Sequence, residues 1–552
     1  MESLLDLYGF ASVVLQALLL LARTVLLGSV VFWTLLVVPL GAAMPGAAHQ
    51  LSGTARRLVL GAGLATLGLT FLAAALAVLA LAATLNTGLG AVLGADFVRA
   101  ALGAMAATVL LLLLARADGA LEPLRRFGLL AAAATLLAAA VAGSHAMART
   151  EGRGMLMAAT FVHQVGAALW IGGLPALWLG FRLPERAARA VGQRYSPFAM
   201  AGVGLILLGA LGFWLGYIGG VPAVYGTAYG AMAGTKMILL GLLLALGGAN
   251  YLLLHRLESV PSGLLRVKRF VESEMALGVA VLAIAGSLTS VPPAADLLED
   301  RVTWHEVVER FTPGTPRLTS PSHEDLAIPA MQAQLDAEWQ AAQQRAAERP
   351  QAFTPGEGLL PPRNAQDIAW SEYNHNWSGI VVLLVGLAAL LDASRKVPFT
   401  RHWPLLFLGL FLFLFIRSDP EVWPLGEIGL FASLRDPEVV QHKLAALLVL
   451  GFALAEWAVR LGKLTGRYRY VFPLSMLAGG ALLLAHTHAI ANFKELLLVE
   501  LSHLPLAICA LVGGCARVIE LRGPDVLARR ATWVWPACLV IIGSFLLIYR
   551  EA

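Results

Sequence analysis

Long uninterrupted apolar runs dominate this chain and limit what it can fold into. About fourteen runs approach the roughly 20 residues that an α-helix needs to cross a bilayer. Of the 552 residues, 58% are hydrophobic and 14% are charged, whereas soluble domains carry about 25% charged residues. The runs therefore predict an all-α, polytopic membrane bundle of about fourteen transmembrane helices. They cover 11–40, 57–84, 97–115, 124–144, 156–181, 198–218, 231–254, 270–291, 377–392, 403–417, 440–459, 470–487, 495–516 and 532–549.

Three further sequence features narrow the class of membrane protein. They are the first residues, the positions of the cysteines and the absence of common enzyme motifs. No basic stretch precedes the first apolar run, so a cleavable signal peptide is not expected. The three cysteines, Cys509, Cys515 and Cys538, lie inside apolar runs, which argues against a disulfide framework and a CxxC motif. The sequence contains no Walker motif, HExxH or nucleophile elbow, so neither ATP-driven pumping nor hydrolysis is expected.

Basic residues are concentrated on one side of the expected spans. With the N-terminus outside, seven inner loops hold 24 lysines and arginines, whereas the short outer loops and the C-terminal tail hold 6. The positive-inside rule therefore predicts that both termini lie on the outer side of the membrane. Because these loops account for the net charge of +5, that charge does not indicate nucleic-acid binding.

A proline-rich segment interrupts the apolar runs. Residues 294–372 contain eight prolines and an amphipathic stretch near 324–348, with too little strand pattern for a cupredoxin-like metal domain. The expected organisation is an eight-helix membrane domain over 1–293, an outer segment over 294–372 with one surface helix, and a six-helix membrane domain over 373–552.

Nine of the twelve histidines fall on the outer side of this topology, beside several methionines. A short turn would bring two imidazoles and up to three thioethers of the first half together. Thioether sulfur selects Cu(I), whereas imidazole alone also suits haem iron. The pattern predicts a copper site at this turn, the alternative being that the methionines only fill gaps between packed helices. The residues concerned are His145, Met147, Met155, Met157 and His163.

A second group of potential ligands lies on the outer side of the six-helix half. Glu500 and His503 are three residues apart and share one helix face, and His503 can face His486 across the turn between two spans. The group predicts a second metal site or a pair of haem ligands, and the alternative is an interfacial belt of hydrogen-bonding histidines. Its members are His375, His442, His486, His488, Glu500 and His503.

An ordered set of short motifs runs through the first half. It consists of Gly143-Ser144-His145, His163 followed by Gly166-Ala167-Ala168-Leu169-Trp170-Ile171-Gly172-Gly173-Leu174, Thr227-Ala228-Tyr229-Gly230, Lys236, Asn250, Glu272, Glu274 and Val291-Pro292-Pro293. From about residue 10 to 293 the chain resembles the copper resistance protein D (CopD) family, although Tyr251 stands where that family often has a basic residue. The resemblance implies a bacterial inner-membrane protein that moves copper inward from the periplasm. The second half resembles regions fused to CopD-type proteins.

Two cations, Arg23 and Lys236, lie inside expected spans with no carboxylate predicted at the same depth. A buried cation is costly unless it is paired, and two of them would repel Cu⁺. Haem propionates would neutralise both, and the architecture resembles HemJ-type protoporphyrinogen oxidases, which bind haem and have a functional His and Lys. We therefore expect copper movement without ATP, with a b-type haem oxidoreductase as the alternative. A membrane scaffold that works with a periplasmic copper chaperone is the third hypothesis.

The expected topology can be tested with single cysteines placed in regions 186–194 and 310–340. An impermeant thiol reagent added to intact cells should label the second region and not the first, because only the second lies outside. Equal labelling of both regions would contradict the topology and the asymmetry of the histidines.

Overall fold

Long α-helices make up most of the chain. The computed structural model describes residues 2–117, 121–256, 262–298, 301–326, 337, 365–434, 437–485 and 494–551, and no β-strand occurs among them. Fourteen helices have twelve or more residues in this part of the chain. They are α1 Glu2–Val31, α2 Pro45–Thr84, α3 Asp96–Arg116, α4 Pro123–Ala142, α5 Arg153–Leu169, α6 Glu185–Phe213, α7 Ala228–His255, α8 Gly263–Ser287, α9 Ala365–Ala393, α10 Leu406–Arg417, α11 Pro437–Arg460, α12 Val471–Ala485, α13 Lys494–Arg522 and α14 Asp525–Leu547.

Short helical segments extend or connect these helices. The α-helical ones are Val38–Leu40, Leu89–Val92, His145–Ala148, Leu174–Gly180, Val221–Gly226, Trp304–Phe311 and Leu430–Ser433. The 3₁₀ turns are Ile171–Gly173, Leu288–Ser290, Ala294–Asp296, His323–Asp325, Pro398–Leu405 and Gly466–Tyr470, and π-helical turns occur at Phe32–Val37 and Trp214–Ile218.

Thirteen helical segments in the described chain are long and apolar enough to cross a membrane. They include Ala365–Ala393 and Pro398–Arg417, which contain the two shortest of the predicted runs. The one remaining predicted run, 470–487, corresponds to α12, which has 15 residues and ends where the description of this stretch ends. The predicted all-α, polytopic membrane fold is confirmed.

The chain divides into two units. The first comprises Met1–Val224 and Met232–Leu298. Within it, α5 packs along α6, and α1 packs against α2 and α8. A Cβ atom added at Gly28 of α1 would lie 2.2 Å from the carbonyl carbon of Gly172, so α1 meets the turn after α5 backbone to backbone. Small residues commonly allow such close contact between membrane helices.

The second unit comprises Tyr225–Ala231 and Glu299–Ala552. Its core is aromatic: the ring centroids of Trp403 and Phe472 are 5.4 Å apart, and those of Phe472 and Trp535 are 5.7 Å apart. These three side chains are at most 2% exposed. Such edge-on ring pairs add stabilisation beyond the apolar area that they bury.

Residues 301–326 belong to this second unit and contact α9, α13 and the residues that follow α14. The Arg310 guanidinium donates to the Tyr549 hydroxyl at 2.7 Å, and the Arg317 backbone N–H donates to Asn376 Oδ1 at 2.6 Å. A capping box joins Thr303 and Glu306 at the start of Trp304–Phe311, and these hydrogen bonds lower the pKa of Glu306. Most of the amphipathic helix predicted near 324–348 lies outside the described residues.

A buried ionic network joins α11, α13 and α9 of the second unit. Glu456 accepts hydrogen bonds from Arg460 at 2.9 Å and from Arg517 at 2.8 Å. Arg460 also pairs with Asp392, and Arg517 pairs with Glu520 at 2.6 Å. Since the Glu456 side chain is 1% exposed, its charge depends on both arginines.

Replacing Glu456 with Ala should destabilise the second unit. Removing one partner of a buried ion pair costs about 3–5 kcal/mol, and the lower figure applies because Arg460 keeps Asp392 and Arg517 keeps Glu520. Thermal unfolding of the detergent-purified protein should show a lower midpoint for Glu456→Ala. Glu427→Ala removes an exposed glutamate and serves as the control. Identical midpoints for the two variants would contradict the assigned role of Glu456.

Candidate functional site

His163 is held by the close contact of α5 and α6. A Cβ atom added at Gly209 would lie 2.6 Å from the Cβ atom of His163, so only a glycine fits opposite this histidine without displacement. Gly166 meets the backbone of α6 in the same way, since a Cβ atom added there would lie 2.6 Å from the carbonyl oxygen of Gly202. The imidazole therefore lies directly against α6, with its centroid 5.1 Å from the ring of Phe213.

One nitrogen of the His163 ring is fixed by the backbone. Nδ1 is 3.1 Å from the carbonyl oxygen of Ile206, and because a carbonyl only accepts, Nδ1 carries the hydrogen. In the neutral ring Nε2 then carries the lone pair, and Nε2 makes no hydrogen bond to any residue that the structure describes. A backbone carbonyl that fixes one nitrogen and leaves the other available is the usual arrangement of a metal-binding histidine.

Lys236, another predicted site residue, is within electrostatic range of the His163 ring. Lys236 and Arg23 are both half-buried within spans. Within the described chain, neither side chain makes a hydrogen bond or an ion pair.

His145 lies in the turn between α4 and α5 and contacts a different part of the first unit. Its Nε2 donates to the carbonyl oxygen of Thr289 at 2.6 Å, and the side chain is exposed. In the same turn Arg149 pairs with Asp296, a hydrogen bond that raises the pKa of Arg149. The two predicted histidine ligands of the first half are thus fixed to separate carbonyls.

The methionines of this turn do not share one direction. Helix α5 begins at Arg153, so Met155 and Met157 both lie within it. Two residues along an α-helix are separated by about 200° of rotation, and the two thioethers therefore project to opposite faces. Met155 is 43% exposed, whereas Met147 and Met157 are partly buried. The expected convergence of two imidazoles and three thioethers fails for this pair because of helix geometry.

A buried polar cluster in the first unit was not predicted as a site. Glu274 of α8 is 2% exposed and accepts hydrogen bonds from Trp170 Nε1 at 3.2 Å and from Asn250 Nδ2 at 2.5 Å. Glu272 accepts from Trp178 Nε1 at 2.9 Å and pairs with Arg269 at 2.5 Å. Polar residues in apolar runs were the available sequence signal, since Asn250 and Glu274 both fall inside predicted spans.

In the second unit, two of the predicted histidines come together. The ring centroids of His375 and His503 are 5.8 Å apart. Tyr549 stacks on His375 with centroids 4.0 Å apart and lies 6.3 Å from His503. Arg310 lies over the Tyr549 ring, with its guanidinium carbon 4.8 Å from the ring centroid. No sequence pattern connects Arg310 with Tyr549, because 239 residues separate them.

The remaining predicted ligands of the second unit have other surroundings. His442 Nδ1 is 2.6 Å from Asp419 Oδ1, and Lys443 Nζ is 2.8 Å from the other carboxylate oxygen. Burial alone would raise the pKa of Asp419, but hydrogen bonds from His442, Lys443 and Ser418 outweigh burial and lower it. Glu500 is 9% exposed within α13. His486 and His488 lie outside the described residues.

Among the residues that the structure describes, no group of three or more His, Cys, Asp or Glu side chains comes together to hold a metal ion.

Comparison with known proteins finds a family model and a relative that each match part of the chain. The family model described as Copper resistance protein D matches residues 189–288, which run from α6 to the end of α8. The chain is also 34% identical over 164 residues to "Copper transport protein CutJ" from Bacillus subtilis (strain 168), a match that covers 28% of this chain and 29% of the relative. The aligned part thus spans less than a third of that relative's length. No solved structure matches the chain significantly.

The expected resemblance to the copper resistance protein D family is confirmed over residues 189–288. The matched region contains Ile206, Gly209 and Phe213, which form the surface against which His163 packs. It also contains Lys236, Asn250 and Glu274. Residues 189–288 of the first unit are thus similar to the copper resistance protein D family.

Proposed function

We propose that this protein is a copper permease of the bacterial inner membrane. It binds copper at the periplasmic face through histidine and methionine and moves the ion across the membrane without ATP. The matched family region and the name of the relative both concern copper. The chain has no nucleotide-binding motif, so movement is downhill or coupled to an ion gradient.

The single observation that carries the proposal is that one ring nitrogen of His163 makes no hydrogen bond in the described chain. Its Nδ1 is held by Ile206, and its Nε2 lone pair makes no hydrogen bond within the described chain, inside a span packed against the family region. A polar side chain at such a position is costly unless it serves a ligand or a pathway. We assign His163 Nε2 as the intramembrane copper ligand of the pathway.

Before it reaches His163, copper would bind at the turn between α4 and α5. His145 is exposed, and because Nε2 donates to Thr289, its Nδ1 carries the lone pair in the neutral ring. Met155, on the first turn of α5, is 43% exposed. Imidazole and thioether together favour Cu(I) over magnesium or calcium. A periplasmic copper chaperone would deliver the ion to this turn, and both termini would lie on the same outer side.

A b-type haem protein is the second candidate function. The observation that favours it is the pair of intramembrane cations Arg23 and Lys236, which make no ion pair in the described chain and which haem propionates would neutralise. Copper ranks first because the family description and the relative's name both concern copper and neither mentions haem.

Reconstitution into liposomes that enclose a Cu(I)-sensitive dye tests the proposal. His163→Ala should lower the initial rate of copper entry by at least about tenfold, because changes around metal ligands already cost that much. His255→Ala is the matched control, since its Nδ1 also contacts a backbone carbonyl but its ring is exposed. Equal rates for the wild type and His163→Ala would contradict the proposal. A strong Soret band in the purified protein would instead put haem first.

A further inference from the structure

Glu274 is a carboxyl group buried inside the membrane part of the first unit. Only neutral groups hold it: Trp170 Nε1 donates to one oxygen and Asn250 Nδ2 to the other. No arginine, lysine or histidine pairs with it among the described residues. An ionised carboxylate in such surroundings lacks the compensation that buried charges require.

The groups around Glu274 offer no counter-charge. From α6, Tyr195 is the titratable side chain that faces it, and the Tyr195 hydroxyl donates to the backbone oxygens of Leu169 and Trp170. On α8 itself, Glu272 is directed to Trp178 and Arg269. Helix α1 also packs against α8, but its one arginine, Arg23, makes no ion pair with the carboxyl group.

The amide of Asn250 provides a second, independent observation. Asn250 is 6% exposed, and its Oδ1 is completely buried without a hydrogen-bond donor in the described chain. Buried polar atoms are nearly always paired, so an orphaned acceptor beside a carboxyl group needs an explanation. A protonated carboxyl group carries a donor that a carboxylate lacks.

We infer that Glu274 is a proton-binding site inside the membrane, with Asn250 as its hydrogen-bonding partner in both protonation states. In the carboxylate form, Asn250 Nδ2 donates to Glu274. When a proton binds to a carboxylate oxygen, the amide turns over, and the new O–H donates to Asn250 Oδ1. One proton is bound and released at one oxygen, and no other bond changes.

This inference rests on the proposed copper movement: proton binding at Glu274 couples that movement to a proton gradient. The other glutamate of α8, Glu272, is half-buried and paired with Arg269, so it cannot serve in the same way. Coupling of one proton to each copper ion would make the steady-state copper ratio across the membrane change about tenfold for each unit of pH gradient.

Infrared spectroscopy of the full-length purified protein tests the proton site without any transport. The wild type at neutral pH should show the carbonyl band of a protonated carboxyl group that shifts in heavy water. Glu274→Gln should lack this band, and Glu272→Gln should retain it. The glutamine amide also donates to Asn250 Oδ1, so that variant is expected to fold. Asn250→Leu keeps the carboxyl group and should move the band to higher frequency. A spectrum unchanged in both Glu274→Gln and Asn250→Leu would overturn the inference.

Liposomes with an imposed pH gradient test the coupling. Copper accumulation by the wild type and by Glu272→Gln should respond to the gradient, whereas Glu274→Gln should still move copper but lose the response. The same response in Glu274→Gln would overturn the coupling. If the wild type moves no copper at all, the proposed function fails, and the infrared comparison still decides whether Glu274 holds a proton.

Discussion

In the first unit, the candidate site depends on the glycine-mediated contact between α5 and α6. Side chains at Gly166 or Gly209 would collide with the opposite backbone, and their absence lets the two helices approach until His163 reaches the Ile206 carbonyl. That hydrogen bond sets the tautomer of the ring and the direction of Nε2. Within hydrocarbon the close packing also replaces the driving force that water supplies in soluble proteins.

The two units differ in whether their buried ionisable groups form ion pairs. In the second, Glu456, Arg460 and Arg517 compensate one another, which is a structural solution to charge inside a membrane protein. In the described part of the first unit, Lys236 and Glu274 have no ion-pair partner. Ionisable groups without an ion-pair partner inside a membrane cost free energy, and they typically mark ion pathways and proton relays. The difference supports placing copper movement and proton coupling in the first unit.

The sequence predicted the spans well because hydrocarbon imposes a length and a composition on every helix. It predicted site geometry poorly. Met155 and Met157 were grouped by proximity along the chain, but α5 directs them to opposite faces. His442 was grouped with other histidines, but it pairs with Asp419 from a loop that no pattern identified. Long-range contacts such as Arg310 with Tyr549 follow from packing, which periodicity does not encode.

X-ray absorption at the copper edge of the Cu(I)-loaded, full-length protein tests the assigned ligand most directly. The account predicts imidazole nitrogen in the copper coordination shell of the wild type and a clear loss of that scattering in His163→Ala. The exposed control, His255→Ala, should leave the spectrum as it is in the wild type. A copper shell that is identical in the wild type and His163→Ala would contradict the assignment of His163 as the intramembrane ligand.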